Sequence, residues 1–252
     1  MRQVPEHFGV VRARWRLADL RRAVDWLGAY SLAGVSRALR RLGVRRRWGR
    51  LALHSPDPAY AVKLRWVARA LTLAQRPGGE VVVLYGDEFS VHRHPTLALA
   101  YAPRKAPPVA RLAASANTRY RIAGALNVVT GQLTWLGQSK VGVLVLKRFL
   151  RKLRRTYPTG TLLLIWDNWP IHLHEAVLAE AAALDIELLW LPTYAPWTNP
   201  IEKVWRACKQ DLLHHHRLAE RWPELRRRVR DWLDQFTHPS PALLHAVGLL
   251  PE

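Results

Sequence analysis

One cysteine, Cys208, occurs in 252 residues, which excludes an intramolecular disulfide framework and any metal site built from clustered thiolates. Acids are scarce as well: 19 Asp and Glu stand against 39 Lys and Arg, a formal net charge of +20. Self-repulsion on that scale penalises a compact chain, and its usual counterweight is a polyanionic partner. Seven of the bases are Lys and 32 are Arg, whose planar guanidinium suits phosphate oxygens. No apolar run approaches the roughly 18 residues of a membrane span, and the opening Met1-Arg2-Gln3-Val4-Pro5 lacks the apolar stretch of a secretory leader. With 49% hydrophobic and 23% charged residues, disorder is excluded and a sizeable core is expected. The expectation is an intracellular protein that handles nucleic acid.

The charge is uneven. Residues 1–55 carry 13 bases against Glu6, Asp19 and Asp25, half of the net charge in a fifth of the length. Leu17, Leu20, Val24 and Leu27 predict one short helix. Leu32, Val35, Leu39 and Leu42 predict a second, opened by Ser31 as N-cap and stopped at Gly43. Arg37, Arg40 and Arg41 fall largely off the apolar stripe, and Arg45, Arg46 and Arg47 follow, so these six are the candidate DNA-binding residues. A tight joint and a basic outer surface suit a helix-turn-helix; a basic helical hairpin packed on the next domain fits as well. Residues 56–79 then read as a linker helix, closed by Pro77-Gly78-Gly79, and 80–252 as the larger domain.

That domain alternates strands and helices. Val81–Tyr85 and Leu162–Trp166 are continuous apolar runs, as in strands buried on both faces. Thr130-Gly131 marks a hairpin, residues 92–118 with four prolines read as a loop, and Ile186–Leu191 as a third buried strand. Between them, Val141, Leu144, Val145 and Phe149 predict an amphipathic helix whose other face carries Lys147, Arg148, Arg151, Lys152, Arg154 and Arg155, a second candidate DNA surface. Helices are also expected over 172–184, 200–214 and around Leu225–Phe236. The series predicts an α/β fold with a mixed sheet flanked by helices.

Three acids fall where such sheets build sites. Asp87 follows the first buried strand after one glycine, and Asp167 follows the second directly. Glu202 opens the helix after Asn199-Pro200. Taken singly, Asp is common at strand ends, and Asn199, Pro200 and Glu202 suit a capping box. Taken together, three carboxylates retained in a chain of charge +20 suit hard divalent cations, which want oxygen ligands.

The blocks around them resemble a known family. Gly86-Asp87-Glu88, Trp166-Asp167-Asn168-Trp169-Pro170-Ile171-His172 and Tyr194-Ala195-Pro196-Trp197-Thr198-Asn199-Pro200-Ile201-Glu202-Lys203-Val204-Trp205, with 34 residues between the second and third acids, resemble the DDE endonuclease domain of IS630-family transposases, relatives of Tc1/mariner. The resemblance spans about residues 80–215. It implies an RNase H-like fold preceded by a helix-turn-helix-like segment, and two Mg²⁺ or Mn²⁺ ions held by catalytic Asp87, Asp167 and Glu202. The implied reaction is hydrolysis at transposon ends, then attack of a 3′-hydroxyl on target DNA, usually at TA. The implied partner is double-stranded DNA, with a homodimer or higher assembly on it, in a prokaryotic, nucleoid-associated, cytoplasmic setting and with no membrane. Family members commonly carry two helix-turn-helix units, and 1–55 has room for one, so a separately encoded upstream segment is a further expected partner. A catalytically idle, transposase-derived DNA-binding protein or repressor is the alternative reading; a basic RNA-binding protein leaves the three blocks as coincidence.

Other residues near the acids are candidates for support. Glu88 adjoins Asp87 but alternates away along an extended chain. Asn168 and His172 sit beside the second acid, and Asn199 precedes the third. Trp197 invites stacking on an unpaired base. His92 and His94 lack a third ligand for zinc.

Overall fold

The computed structural model describes residues 5–11, 14–45, 54–78, 80–103 and 105–250; Arg46 and Arg47 lie outside them. Two compact units divide the chain, residues 1–52 and 53–252.

The first unit holds two helices, α1 (Leu17–Ala23) and α2 (Leu32–Arg41), joined through a 3-10 turn at Asp25–Leu27. Asp19 accepts from the Arg16 N–H at 3.2 Å, and the Ser31 hydroxyl accepts from Gly34 N–H at 3.2 Å, so each helix start has an orphan donor satisfied. Leu20, Leu27 and Val35 are buried, with Val24, Ala38 and Leu39 packed around them. Leu32 and Leu42, expected on the same stripe, are exposed: a two-helix core is too narrow to cover both ends of a ten-residue helix. Arg37, Arg40, Arg41 and Arg45 are exposed.

The second unit is a five-stranded sheet in the order β3-β2-β1-β4-β5, built from β1 (Val81–His92), β2 (Arg119–Asn127), β3 (Leu133–Gln138), β4 (Thr161–Trp166) and β5 (Ile186–Trp190). The first three strands form an antiparallel meander, and β1, β4 and β5 run parallel. Gly131 turns the β2–β3 hairpin at φ +71°, and a Cβ there would strike the Ser240 carbonyl.

Side-chain alternation along β1 covers both faces of the sheet. Val83, Tyr85, Phe89 and Val91 join a core with α3 (Tyr60–Ala74), α6 (Ile201–Cys208), α7 (Trp222–Asp234) and α8 (Pro241–Val247). Leu84 joins the opposite core with α4 (Val143–Thr156) and α5 (Glu175–Ala183). The helix expected as a linker is α3, and its Val67, Ala70 and Ala74 are buried in the first of these cores. Residues 93–118 hold no regular element among the described residues. No helix of the described residues is long and apolar enough to cross a membrane.

On α4 the buried stripe is Leu146, Phe149, Leu150 and Leu153, and Leu144 is exposed. Apolar residues surround the first turns of this helix, so periodicity alone picks the wrong edge. Five of its six bases are occupied within the fold, Arg155 by the Arg151 carbonyl of its own helix at 3.4 Å. Lys147 and Arg151 pair with Glu180 at 3.0 and 2.6 Å. Lys152 donates to the Trp135 carbonyl at 2.7 Å, and Arg154 donates to the carbonyls of Leu184, Tyr157, Gly160 and Asp185. Most of this face closes the helix onto its neighbours.

Candidate active site

The two parallel strands β1 and β4 pair as far as Tyr85 with Ile165. β4 then ends at Trp166, while β1 runs on to His92, paired with β2 alone on that stretch. Asp87 therefore sits within a strand, where its neighbour has stopped, and Asp167 is the first residue after that stop. Glu202 comes from the first turn of α6. All three line one cavity of about 530 Å³, walled by Trp169, Pro170, Pro192, Tyr194 and Pro196.

Asn199 sets the approach of α6. Its buried side-chain amide donates to the Gly86 carbonyl at 2.9 Å, tying the helix start to β1 next to Asp87. Trp205, one turn on, donates its indole N–H to Asp87 Oδ2 at 2.9 Å and stacks on Phe89 at 5.3 Å. Gly124 lies opposite Asp87 on β2, and a Cβ there would lie 2.5 Å from the Trp205 ring. The missing side chain is what admits the indole. Gly124→Ala is thus expected to lower stability by about 1–3 kcal/mol through overpacking and to loosen Asp87. A calorimetric melt checks the first effect, and an unchanged melting temperature would contradict it.

The capping box expected at Glu202 does not form. The Asn199 side-chain oxygen accepts from the Ile201 N–H at 3.4 Å, the N-cap half of the pattern, but the Asn199 N–H goes to the Pro196 carbonyl and the Glu202 carboxylate has no hydrogen bond or ion pair among the described residues. It is left facing the cavity. Burial pushes the Asp87 carboxyl well above the usual range, and the charges of Glu202, Glu88 and Asp167 add to this. Burial raises Glu202 as well, with Lys209 and Arg206 opposing and Asp167 reinforcing.

Behind Asp167 lies a second group. Glu88 points to the other face of the sheet and meets His172 Nε2 at 3.0 Å, while His172 Nδ1 meets Asp167 Oδ1 at 2.8 Å. The imidazole is 0% exposed and Glu88 7%; Trp166 stacks on the ring at 3.7 Å. Burial disfavours the imidazolium, but the two carboxylates outweigh it and carry its pKa up to about 9. The same contacts take Asp167 below its ordinary value, although burial acts the other way. Ligand atoms of Glu88, Asp167 and His172 lie within 4.8 Å of one another. Both ring nitrogens are already engaged, however, and a protonated ring has no lone pair for a metal. The group works as a brace that fixes Asp167. Asn168 braces the neighbouring loop, donating to the Leu191 carbonyl at 2.5 Å.

Trp197 does not line the cavity; its indole N–H is directed to the Tyr60 hydroxyl at 3.3 Å. His92 and His94 join no three-ligand group among the described residues. Three features have no local signature in sequence: Trp205 as donor to Asp87, Gly124 as its space, and Asp57, which accepts from Lys63 Nζ and Thr193 N–H. Only their meeting in space reveals them.

Residues 82–226 match the family model of the DDE superfamily endonucleases. A curated relative, the insertion element IS630 uncharacterized 39 kDa protein of Shigella sonnei, is 27% identical over 250 residues, covering 97% of this chain and 71% of its own. The fold is similar to that of Mos1 transposase in a paired-end complex with the left transposon end. That match has a TM-score of 0.63 and 18% identity, over 96% of this chain and 77% of that one. It is also similar to the Mos1 mariner paired-end complex with Mn, with a TM-score of 0.65 and 18% identity, over 94% and 72%. The RNase H-like sheet and the three motif blocks thus coincide with the family match, and the chain, similar to an IS630 insertion-element protein, belongs to the DDE superfamily endonucleases.

Proposed function

We propose that this chain cuts transposon ends in double-stranded DNA and joins the freed 3′-hydroxyls to target DNA at TA, using Asp87, Asp167 and Glu202 as one metal site. The observation that carries the reading is the cavity itself: three carboxylates from β1, β4 and α6 face it, and none of the three forms an ion pair with a Lys or Arg among the described residues. Such a set of hard oxygen donors, with Asp87 and Glu202 raised by burial and by neighbouring acids, fits Mg²⁺ or Mn²⁺. A pair of such ions supplies an activated water and charge stabilisation at the leaving oxygen. Trp205 orients Asp87, His172 with Glu88 orients Asp167, and Asn199 brings Glu202 to β1. The fold's likeness to Mos1 in complexes with a transposon end and with Mn supports DNA as substrate and a divalent metal as cofactor. An assembly of two or more chains on DNA, and an upstream helix-turn-helix supplied separately, complete the proposal.

The test is incubation of the full chain with a duplex carrying the element's terminal repeat. Nicks ending in 3′-hydroxyls are expected with Mg²⁺ or Mn²⁺ and none with a chelator; nicking undiminished by the chelator would overturn the reading.

The first unit is proposed to hold DNA through exposed Arg37, Arg40, Arg41 and Arg45, with Arg46 and Arg47 next in sequence. Affinity is then expected to fall steeply with salt, at a log–log slope of about −0.9 per neutralised phosphate. Removing Arg37, Arg40 and Arg41 together should flatten that slope by about 2 to 3 units. Fluorescence anisotropy across a salt series measures it, and an unchanged slope would contradict the assignment.

A further inference from the structure

Tyr194 is held in a conformation that a tyrosine rarely takes. Its φ is +54°, in the left-handed region where a Cβ crowds the backbone. The residue is 78% exposed, and its ring makes no aromatic or hydrogen-bonding contact among the described residues. Nothing about the ring's own packing explains the conformation. Its neighbours impose it. Thr193 is gripped at both backbone groups: its N–H donates to Asp57 Oδ2 at 2.9 Å, and its carbonyl accepts from the Ser55 hydroxyl at 2.5 Å. Asp57 is itself fixed by Lys63 Nζ at 2.8 Å and Ala59 N–H at 2.9 Å. Ala195, on the other side, is buried.

The outcome of this scaffolding is an unattached aromatic ring at the wall of the cavity that holds Asp87, Asp167 and Glu202. Beside it the lining is largely apolar, with Trp169, Pro170, Pro192 and Pro196. Carboxylates and metal ions have use for a phosphodiester, but this wall has none for a phosphate. What lies one sugar away from a scissile phosphate is a nucleobase, whose π-face stacks on an aromatic ring whatever its identity. A base inside the duplex has both faces covered, so the one received here must be turned out of the stack.

We infer that Tyr194, held out by the Ser55–Asp57 grip on Thr193, is a stacking platform for a nucleobase turned out of the duplex beside the scissile phosphate. The inference rests on the DNA-cutting reading above and adds a base subsite to it.

The test is single-turnover cleavage by the full chain, with Mg²⁺, of end duplexes that are intact or carry an abasic residue at the nucleotide flanking the cut on either side. On the intact duplex, Tyr194→Ala is expected to cut about 10- to 100-fold more slowly than the parent, the usual worth of one stacked base. Tyr194→Gly accommodates the positive φ without strain and should be as slow, which separates the ring from the loop shape. Tyr194→Phe should recover most of what Tyr194→Ala loses. With the abasic duplex that lacks the received base, the parent slows and Tyr194→Ala slows no further. 2-Aminopurine at that position should brighten on binding to the parent and not to Tyr194→Ala. If Tyr194→Ala and Tyr194→Gly cut the intact duplex at the parental rate, or lose the same factor on every abasic duplex, the subsite is overturned. A parent that cuts no end duplex with metal overturns the underlying reading and the subsite with it.

Discussion

Glu202→Gln is expected to reduce metal-dependent strand cleavage at least about 1,000-fold, because a neutral amide is a poor ligand for Mg²⁺ and several kcal/mol of charge stabilisation go with the carboxylate. Stability should change little. The side chain makes no capping hydrogen bond in the first turn of α6, so only a charge–dipole contribution of at most about 1 kcal/mol is lost. Relief of its repulsion with Asp87 offsets part of that. Asp87→Asn and Asp167→Asn should give the same loss of cleavage, and combining two of them should add little, since the three act as a unit. Salt-sensitive DNA binding should persist in all. Cleavage kinetics beside a thermal melt checks each variant; a Glu202→Gln chain that cuts like the parent would return position 202 to an ordinary helix start.

The second large effect belongs to His172. His172→Ala leaves Glu88 buried without its partner, a loss on the order of 3–5 kcal/mol when a buried pair is broken from one side. It also frees Asp167 to rotate, so cleavage should fall with stability, and His172→Gln should recover part of the stability because an amide still donates to one carboxylate. The pH dependence has a definite sign. The imidazole's pKa rises from 6.5 to about 9 on folding, so its contribution is full below about pH 6.5 and is lost as pH rises through 9. In chelator, the melting temperature of the parent should exceed that of His172→Gln most near pH 6.5 and converge toward it by pH 10. A constant gap across that range would contradict the charged brace.

Much of this arrangement was legible in the sequence where information is local. The apolar runs at 81–85, 162–166 and 186–191 predict the parallel strands, and Ser31 predicts the start of α2. Three motif blocks locate the acids and the residues that support them. What was not legible depends on distance or on ambiguous pattern. Gly86-Asp87-Glu88 interrupts the apolar run, so β1 reads as ending at Tyr85, yet pairing with β2 carries it to His92. The helix of Val143–Thr156 has apolar residues nearly all round its first turns, and burial rather than periodicity decides its inner face. Its bases read as a DNA surface because their partners, Glu180 and a set of backbone carbonyls, come from elements far along the chain. Glu202 reads as a cap because the local pattern is a good one; the competing pull, from Asn199 to Gly86, spans 113 residues. The grip of Asp57 on Thr193 spans 136.

The central claim is that Asp87, Asp167 and Glu202 form one metal site for work on DNA. Counting Mn²⁺ bound by the chain on a terminal-repeat duplex, by electron paramagnetic resonance, tests it most directly. About two ions per chain are predicted, with none retained at that site when Asp87, Asp167 and Glu202 are replaced together by their amides. The same Mn²⁺ count in the parent and in the triple variant, both folded and both on DNA, would contradict it.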